Sequence, residues 1–590
     1  MTTKWISVAD YLLLRLKELN LDKIFQVPGD YVQEFMTALE HFDGIDAVGD
    51  VTELGAGYAA DGYARFKGIG AVSVQYGAGT FNVLNAIAGA YVERNPIVVI
   101  TASPSLNDRK VLQQTHALFH HSTGTPDCDK TIFEQVTVAA EILSHHVSAP
   151  AQIDSALEAA LRHQRPIYLE AWQNVWGELV PPPRQPLSQI TFVPSKAMQT
   201  NLITVIEYQL SQAKRPLLIL GIELSRLGLQ QEITTLIETL NIPYTTTTLA
   251  KSLISEAHGV GKENFIGTYS GEASSQATQD IVEDADFILA LGAIFTDDYL
   301  SLLQHKKNQL IRVNISDALD ENNDPYLQIS LADTIEQLTY GFKSPSPITN
   351  WCPSLLNDNQ LPCPENHGKI TYEGFFAAYQ RALKHNDTIQ NSNLILGESS
   401  SLYIAARLSG FNESHFTCDA AWGSLGHETG CALGISMASR RQSIVVAGEG
   451  GLMMMCQALS TLSRHNSNSV IFVMKHDVYA TEQSSVDSCA LTSTGQLDPF
   501  NDLPSWNYKA LAEAFNTAYL HVETVGDLES ILDQISVEST QPTLVQVDIN
   551  KHDLAPAIRS LGGSATEQDI NEYPINNAQH TSVEEPSWTI

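Results

Sequence analysis

The 590-residue chain is short of positive charge: 34 Lys and Arg stand against 67 Asp and Glu, leaving a formal net charge of −33. So acidic a chain repels the phosphates of nucleic acid and anionic lipid headgroups, so neither is an expected partner, although charge says nothing about fold. Cysteine is sparse. The seven present contain no CxxC and no regular spacing, which argues against a disulfide scaffold and offers no zinc-ligand pattern. No apolar run approaches the roughly 18 residues of a membrane span, and the first residues hold no signal-peptide core. The expectation is a cytoplasmic protein with no membrane partner. A short-period repeat is also missing, and no G-x-G-x-x-G follows an apolar run, which weakens a nicotinamide or flavin reading.

What the chain does have is apolar residues, 43% of it, ample for several cores. Short apolar runs such as 216–220, 287–291, 310–313, 443–447 and 470–474 alternate with helical patterns. Runs of that kind are strands buried on both faces, so the predicted class is α/β, with three doubly wound parallel-sheet domains. Punctuation divides them. A Pro-rich stretch at 181–186 closes a first domain, 1–186, and a central one follows at 187–343. Pro345, Pro347, Pro353, Pro362 and Pro364 mark 344–368 as a linker. A third domain spans 369–555, and 556–590 is a polar tail expected to be loosely ordered.

The densest chemistry lies in that third domain. Gly448-Glu449-Gly450-Gly451 follows the 443–447 run and opens a stretch, 452–462, that reads as one buried helix. A strand, a glycine turn and a helix start make a cradle for phosphate, with amides pointing at the anion. The 470–474 run then delivers Lys475, His476, Asp477, Val478 and Tyr479. Glu449 and His476 are thereby expected at the carboxyl ends of neighbouring strands, where an open α/β sheet binds its ligand.

With these motifs in hand, the chain resembles the thiamine-diphosphate-dependent 2-oxo acid decarboxylases along nearly its whole length. The matching segments are the Pro-Gly-Asp turn at 28–30, the Glu53 helix start running to Arg65, the His120-His121 pair and the Trp-Gly-Ser turn at 422–424. Two more are the Gly448 cradle and 479–482, where Ala480 replaces the usual Thr. The resemblance implies a pyrimidine-binding first domain, a central domain and a diphosphate-binding third domain. Thiamine diphosphate then lies between two subunits of a homodimer or homotetramer.

By resemblance Glu53 is the carboxylate that bonds the cofactor's pyrimidine, Leu425 the apolar prop beneath it, and the Gly423 carbonyl the acceptor for its amine. Gly448, Glu449, Gly450 and Gly451 bind the diphosphate end. Asp30, His120, His121 and Glu482 match the family's acid–base set, which handles protons as carbon dioxide leaves and an enamine is protonated. Plainer readings stand beside these. Glu53 suits a helix N-terminus for its charge alone, Leu425 suits any core, and paired histidines are commonly just solvated.

The metal motif departs from the family. There an Asp, an Asn and a backbone carbonyl hold a divalent cation, usually Mg²⁺. Here Glu449, His476 and Val478 occupy those positions. Mg²⁺ wants six oxygens in tight octahedral geometry, whereas imidazole suits softer first-row metals. Asp477 taking over as ligand, or Lys475 as diphosphate counter-charge, are the alternatives. The implied activity is decarboxylation of a 2-oxo acid, the product leaving as aldehyde or joining a second aldehyde or ketone as an acyloin. The alternative is a catalytically silent paralogue acting as a binding or regulatory subunit.

Overall fold

In a computed structural model the chain builds three α/β units, each around its own sheet. The structure describes residues 5–125, 127–187, 193–257, 262–342, 361, 368–492, 495–535, 539–555 and 558. Apart from Leu361, Gly368 and Ile558, the expected linker at 344–368 and tail at 556–590 lie outside the described residues.

The first sheet is wholly parallel. From one edge it runs Asp46–Gly49, Lys23–Gln26, Gly70–Ser73, Ile97–Ser103, Ile167–Trp172 and Ala139–Leu143. The third is also parallel: Phe416–Cys418, Asn393–Leu396, Ser443–Gly448, Ser469–Lys475, Thr543–Asp548 and Ala518–Val522. Numbered along the chain, both sheets follow the same order, 2-1-3-4-6-5. Each therefore reverses direction of build between its first and third strands, and a crevice opens there beyond the carboxyl ends. The crevices are bordered by 27–30 and 74–79 in the first unit, and by 397–400 and 448–451 in the third.

The central sheet differs in part. Five parallel strands lead to two antiparallel ones at its edge, Asp317–Leu319 and Pro325–Leu327. An antiparallel edge on an otherwise parallel sheet is common in such folds. The stretch expected as one helix at 452–462 is two, Glu449–Met455 and Ala458–Arg464.

The first and third units share one apolar core. They meet through equivalent helices, Glu53–Lys67 and His427–Ser439, each following the second strand of its sheet. Small residues set the approach. A Cβ on Gly434 would lie 1.8 Å from the Ala59 carbonyl oxygen, and one on Gly62 2.3 Å from that of Cys431. One cluster of buried charges in the seam is fully paired: Asp61 meets both Arg65 and His427 at 2.7 Å, and Arg65 meets Glu93 at 2.6 Å. The same seam fixes the turn after the second strand. Tyr58 and Asn85 reach the Ser424 hydroxyl at 2.7 and 2.8 Å, while Trp422 Nε1 donates to Asn85.

Candidate active site

One cleft opens at the third sheet's crevice. Its wall includes Tyr372, Glu398, Ser399, Ser400, Leu425 and Gly448 through Gly451, with His476, Val478 and the 479–482 segment closing one side. The glycines are required by crowding: a Cβ on Gly450 would strike the Tyr479 ring at 2.1 Å, and one on Gly451 would meet the Glu428 carboxyl at 2.7 Å. Gly423 holds a left-handed backbone (φ 68°) beside Glu398, a conformation that costs any residue with a Cβ. Leu425, Gly448, Glu449, Gly450, Gly451, His476, Val478 and Glu482 are thus brought together, with Gly423 at the margin.

Within this group Glu449 faces inward. Its Oε2 accepts the amides of His476 (2.9 Å) and Asp477 (2.5 Å), and Oε1 accepts the Tyr508 hydroxyl (2.7 Å). Burial nevertheless lifts its carboxyl above the usual range. His476 is 2% exposed, and burial pushes its imidazole down to about 4, so the ring is neutral. It lies edge-on to Tyr372, and its Nε2 has no partner among the described residues. The left-handed residue of this loop is Asp477 (φ 58°), not Val478, which is buried and bridges to the backbone of Asp502. Lys475 is paired with Asp477 at 2.6 Å.

Asp30, Glu53, His120 and His121 do not line this cleft. They surround the corresponding crevice of the first sheet, at the turn 75–79. Gln75 donates to Asp30 (2.9 Å) and Tyr76 to the His120 carbonyl. The His121 carbonyl lies over Gly77, where a Cβ would come within 1.9 Å. Glu53 lies beside Gly79 and accepts from Asn82 at 2.6 Å. Asp30 and both histidines are exposed, and Glu53 is half-buried.

Three family models match in chain order. The thiamine pyrophosphate enzyme N-terminal domain covers 6–125, its central domain 204–338 and its C-terminal domain 399–547. The chain belongs to the thiamine-diphosphate-dependent 2-oxo acid decarboxylase family. Among similar proteins, the alpha-keto-acid decarboxylase of Mycobacterium leprae is 28% identical, with 96% of both chains covered. Pyruvate decarboxylase 2 of Oryza sativa subsp. japonica is 29% identical, over 86% of this chain and 82% of its own.

The cleft fits the diphosphate end of that cofactor: the glycine turn presents bare backbone, flanked by Ser399 and Ser400. A metal does not fit the same way. Both Glu449 oxygens are already bonded within the protein, and His476 offers nitrogen where Mg²⁺ wants oxygen. Among the described residues the group that does lie within mutual ligand distance is His521, Glu523 and Asp548, partly exposed and on other strands.

Two acids escaped the sequence reading. Glu428 lies in the first turn of the helix equivalent to Glu53's and is 1% exposed; both its oxygens are buried without a hydrogen-bonding partner among the described residues, between Gly397 and Gly451. Burial raises it to about 7. Glu398 follows the Asn393–Leu396 strand and faces the cleft, and burial raises it also to about 7. A position just past a strand's carboxyl end was the available signal for Glu398. For Glu428, an acid in a helix's first turn looks like ordinary dipole matching.

Proposed function

We propose that the protein decarboxylates a 2-oxo acid and releases the product as aldehyde or passes it to a second carbonyl, forming an acyloin. The observation that carries this reading is the cleft that sets Leu425 and Glu482 beside the Gly448–Gly451 turn. Thiamine diphosphate, when bound, supplies a nucleophilic carbon and an electron sink for the departing carboxyl group. The chain's own groups do the rest. The glycine turn with Ser399 and Ser400 would hold the diphosphate, Leu425 would support the pyrimidine, and the Gly423 carbonyl and Glu53 would be its polar partners. Asp30, His120, His121 and Glu482 deliver and remove protons at the reacting carbon and at the product oxygen.

Asp30, Glu53, His120 and His121 stand at a crevice of the first unit, while the cleft lies in the third. A second copy of the chain brings one to the other, so the active species is a homodimer or a homotetramer of paired dimers. No step is assigned to a divalent cation, because Glu449 turns both oxygens inward and His476 offers nitrogen. The test is carbon dioxide release from a panel of 2-oxo acids by protein supplied with thiamine diphosphate, with aldehyde and acyloin separated by chromatography. Release from none of them overturns the reading, as does an active species that sediments as a monomer.

A further inference from the structure

The cleft raises an electrostatic difficulty. Its wall carries Glu398, Glu449 and Glu482 and, among the described residues, no Lys or Arg. Yet on the reading above it must admit a 2-oxo acid, which is an anion. Bringing a carboxylate against an ionised carboxylate in a partly desolvated site is unfavourable, and the ordinary remedy is a guanidinium or ammonium. An acid of the wall held in its neutral form removes that repulsion, in addition to the imidazoles that a second copy brings on the reading above.

Glu449 is not that acid, since both its oxygens are taken up by backbone amides and Tyr508. Glu482 lies at the exposed rim. Glu398 stands at the first strand's carboxyl end, its Cγ and Oε2 3.8 Å from the space above Gly423. No hydrogen bond or ion pair engages its carboxyl among the described residues. The groups facing it are acidic on every side: Asp297 and Asp298 from the central unit, Glu428 from the His427–Ser439 helix and Glu482 from the far wall. Tyr403, from the helix that follows Glu398, is a further titratable neighbour.

We propose that Glu398 receives the substrate's carboxylate, donating its carboxylic O–H to one carboxylate oxygen. The assignment rests on the 2-oxo acid reading and sharpens it. Burial and the surrounding acids keep the proton on Glu398 up to about 7, which is compatible with this role near neutrality. A carboxylic acid held neutral in an acidic cleft accepts an anion that a charged one would repel. The anion therefore enters as half of a pair, with a proton on the protein as the other half.

Calorimetry on protein loaded with thiamine diphosphate and Mg²⁺ tests this. The probes are oxamate, an unreactive anion of pyruvate's shape, and oxamide, its neutral counterpart. Titrations run from about pH 6 to about pH 8.5 in two buffers of different ionisation enthalpy, which counts protons. Oxamate affinity is expected to fall about tenfold per pH unit above about 7, with up to one proton taken up, while oxamide stays flat. In Glu398→Gln the amide still donates, so oxamate binding becomes flat with pH and the proton uptake disappears. Glu398→Ala weakens oxamate at about pH 6, where the parent carboxyl is protonated, and is also flat with pH, and circular dichroism checks that both variants fold. Oxamate binding that is pH-independent in the parent, or absent at about pH 6, overturns the proposal, as does proton uptake surviving in Glu398→Gln. The same preparation is assayed for carbon dioxide release. Release without the proton linkage removes Glu398 alone, whereas the linkage without release removes the decarboxylase reading and leaves Glu398 as a carboxylate receptor.

Discussion

The first and third units share a strand order, yet their crevices are built in opposite ways. In the first, Asp30, His120 and His121 stand in solvent, each tied to the turn 75–79 by one contact. In the third, the acids are drawn inward, with Glu449 3% exposed and carrying three internal hydrogen bonds and Glu428 1% exposed with none. The two helices that follow the second strands open with Glu53 and with His427-Glu428, so one topological slot holds an acid reaching outward in one unit and a sealed one in the other. A crevice that presents exposed acid–base groups awaits something to cover it. A crevice that seals its acids is already a floor. On the proposed reading the two are halves of one site, brought together from two copies of the chain.

The largest effect expected tests that pairing. Glu53→Gln and Glu482→Gln should each lower turnover by roughly 10²–10⁴-fold. Mixed, dissociated and reassociated, they should recover about a quarter of the parent's activity, because half the dimers are hybrids with one intact site. Recovery of nothing would place both acids in a site within one chain.

The next effect concerns the sealed half. Glu428 is raised from 4.5 to about 7, so its charge opposes folding; the contribution is favourable below about 4.5 and is lost as pH rises through about 7. Glu428→Gln should therefore gain stability over the parent across that window, by about 3 kcal/mol at most, with no difference in acid. Denaturant melts at several pH values read it out, and a gain that is independent of pH would mean that the carboxyl is not the cause.

A smaller effect is expected at the departed metal motif. After chelation, cofactor binding followed by tryptophan fluorescence should recover no better with Mg²⁺ than with Mn²⁺ or Co²⁺. Restoring the family pattern with Glu449→Asp and His476→Asn should raise Mg²⁺-dependent affinity about tenfold, the worth of one good polar interaction. If affinity stays flat, the buried backbone at Val478 is the obstacle. Smallest is the fate of product. Thr481 lines the cleft beside Glu482 with a hydroxyl that could orient a second carbonyl, and Thr481→Ile should shift the acyloin-to-aldehyde ratio a few-fold towards aldehyde. An unchanged ratio removes Thr481 from product selection.

Much of the fold was legible because parallel strands buried on both faces are written as apolar runs: 443–447 and 470–474 are adjacent strands in register, Ser443 opposite Ser469. The cradle at Gly448 was legible for the same reason. Long-range position was not. Nothing in the spacing of Glu398 or Glu428 says that one meets the cleft and the other lies beneath it. That depends on the seam between helices that are nearly 400 residues apart in sequence. The backbone of the 475–478 loop was not legible either: Asp477 adopts the left-handed conformation (φ 58°), which Asp tolerates better than a β-branched residue such as Val478 does.

The glycine seam also limits how this protein can be recombined with its relatives. Where Gly434 lies on Ala59 and Gly62 on Cys431, one methyl group on either side drives backbone into backbone. A chimera cut between the units would unite helices never fitted to each other, and one β-carbon would pry the shared core apart. The unit of exchange is accordingly neither the first domain nor the third but the helix pair, inherited as a matched set from opposite ends of the chain.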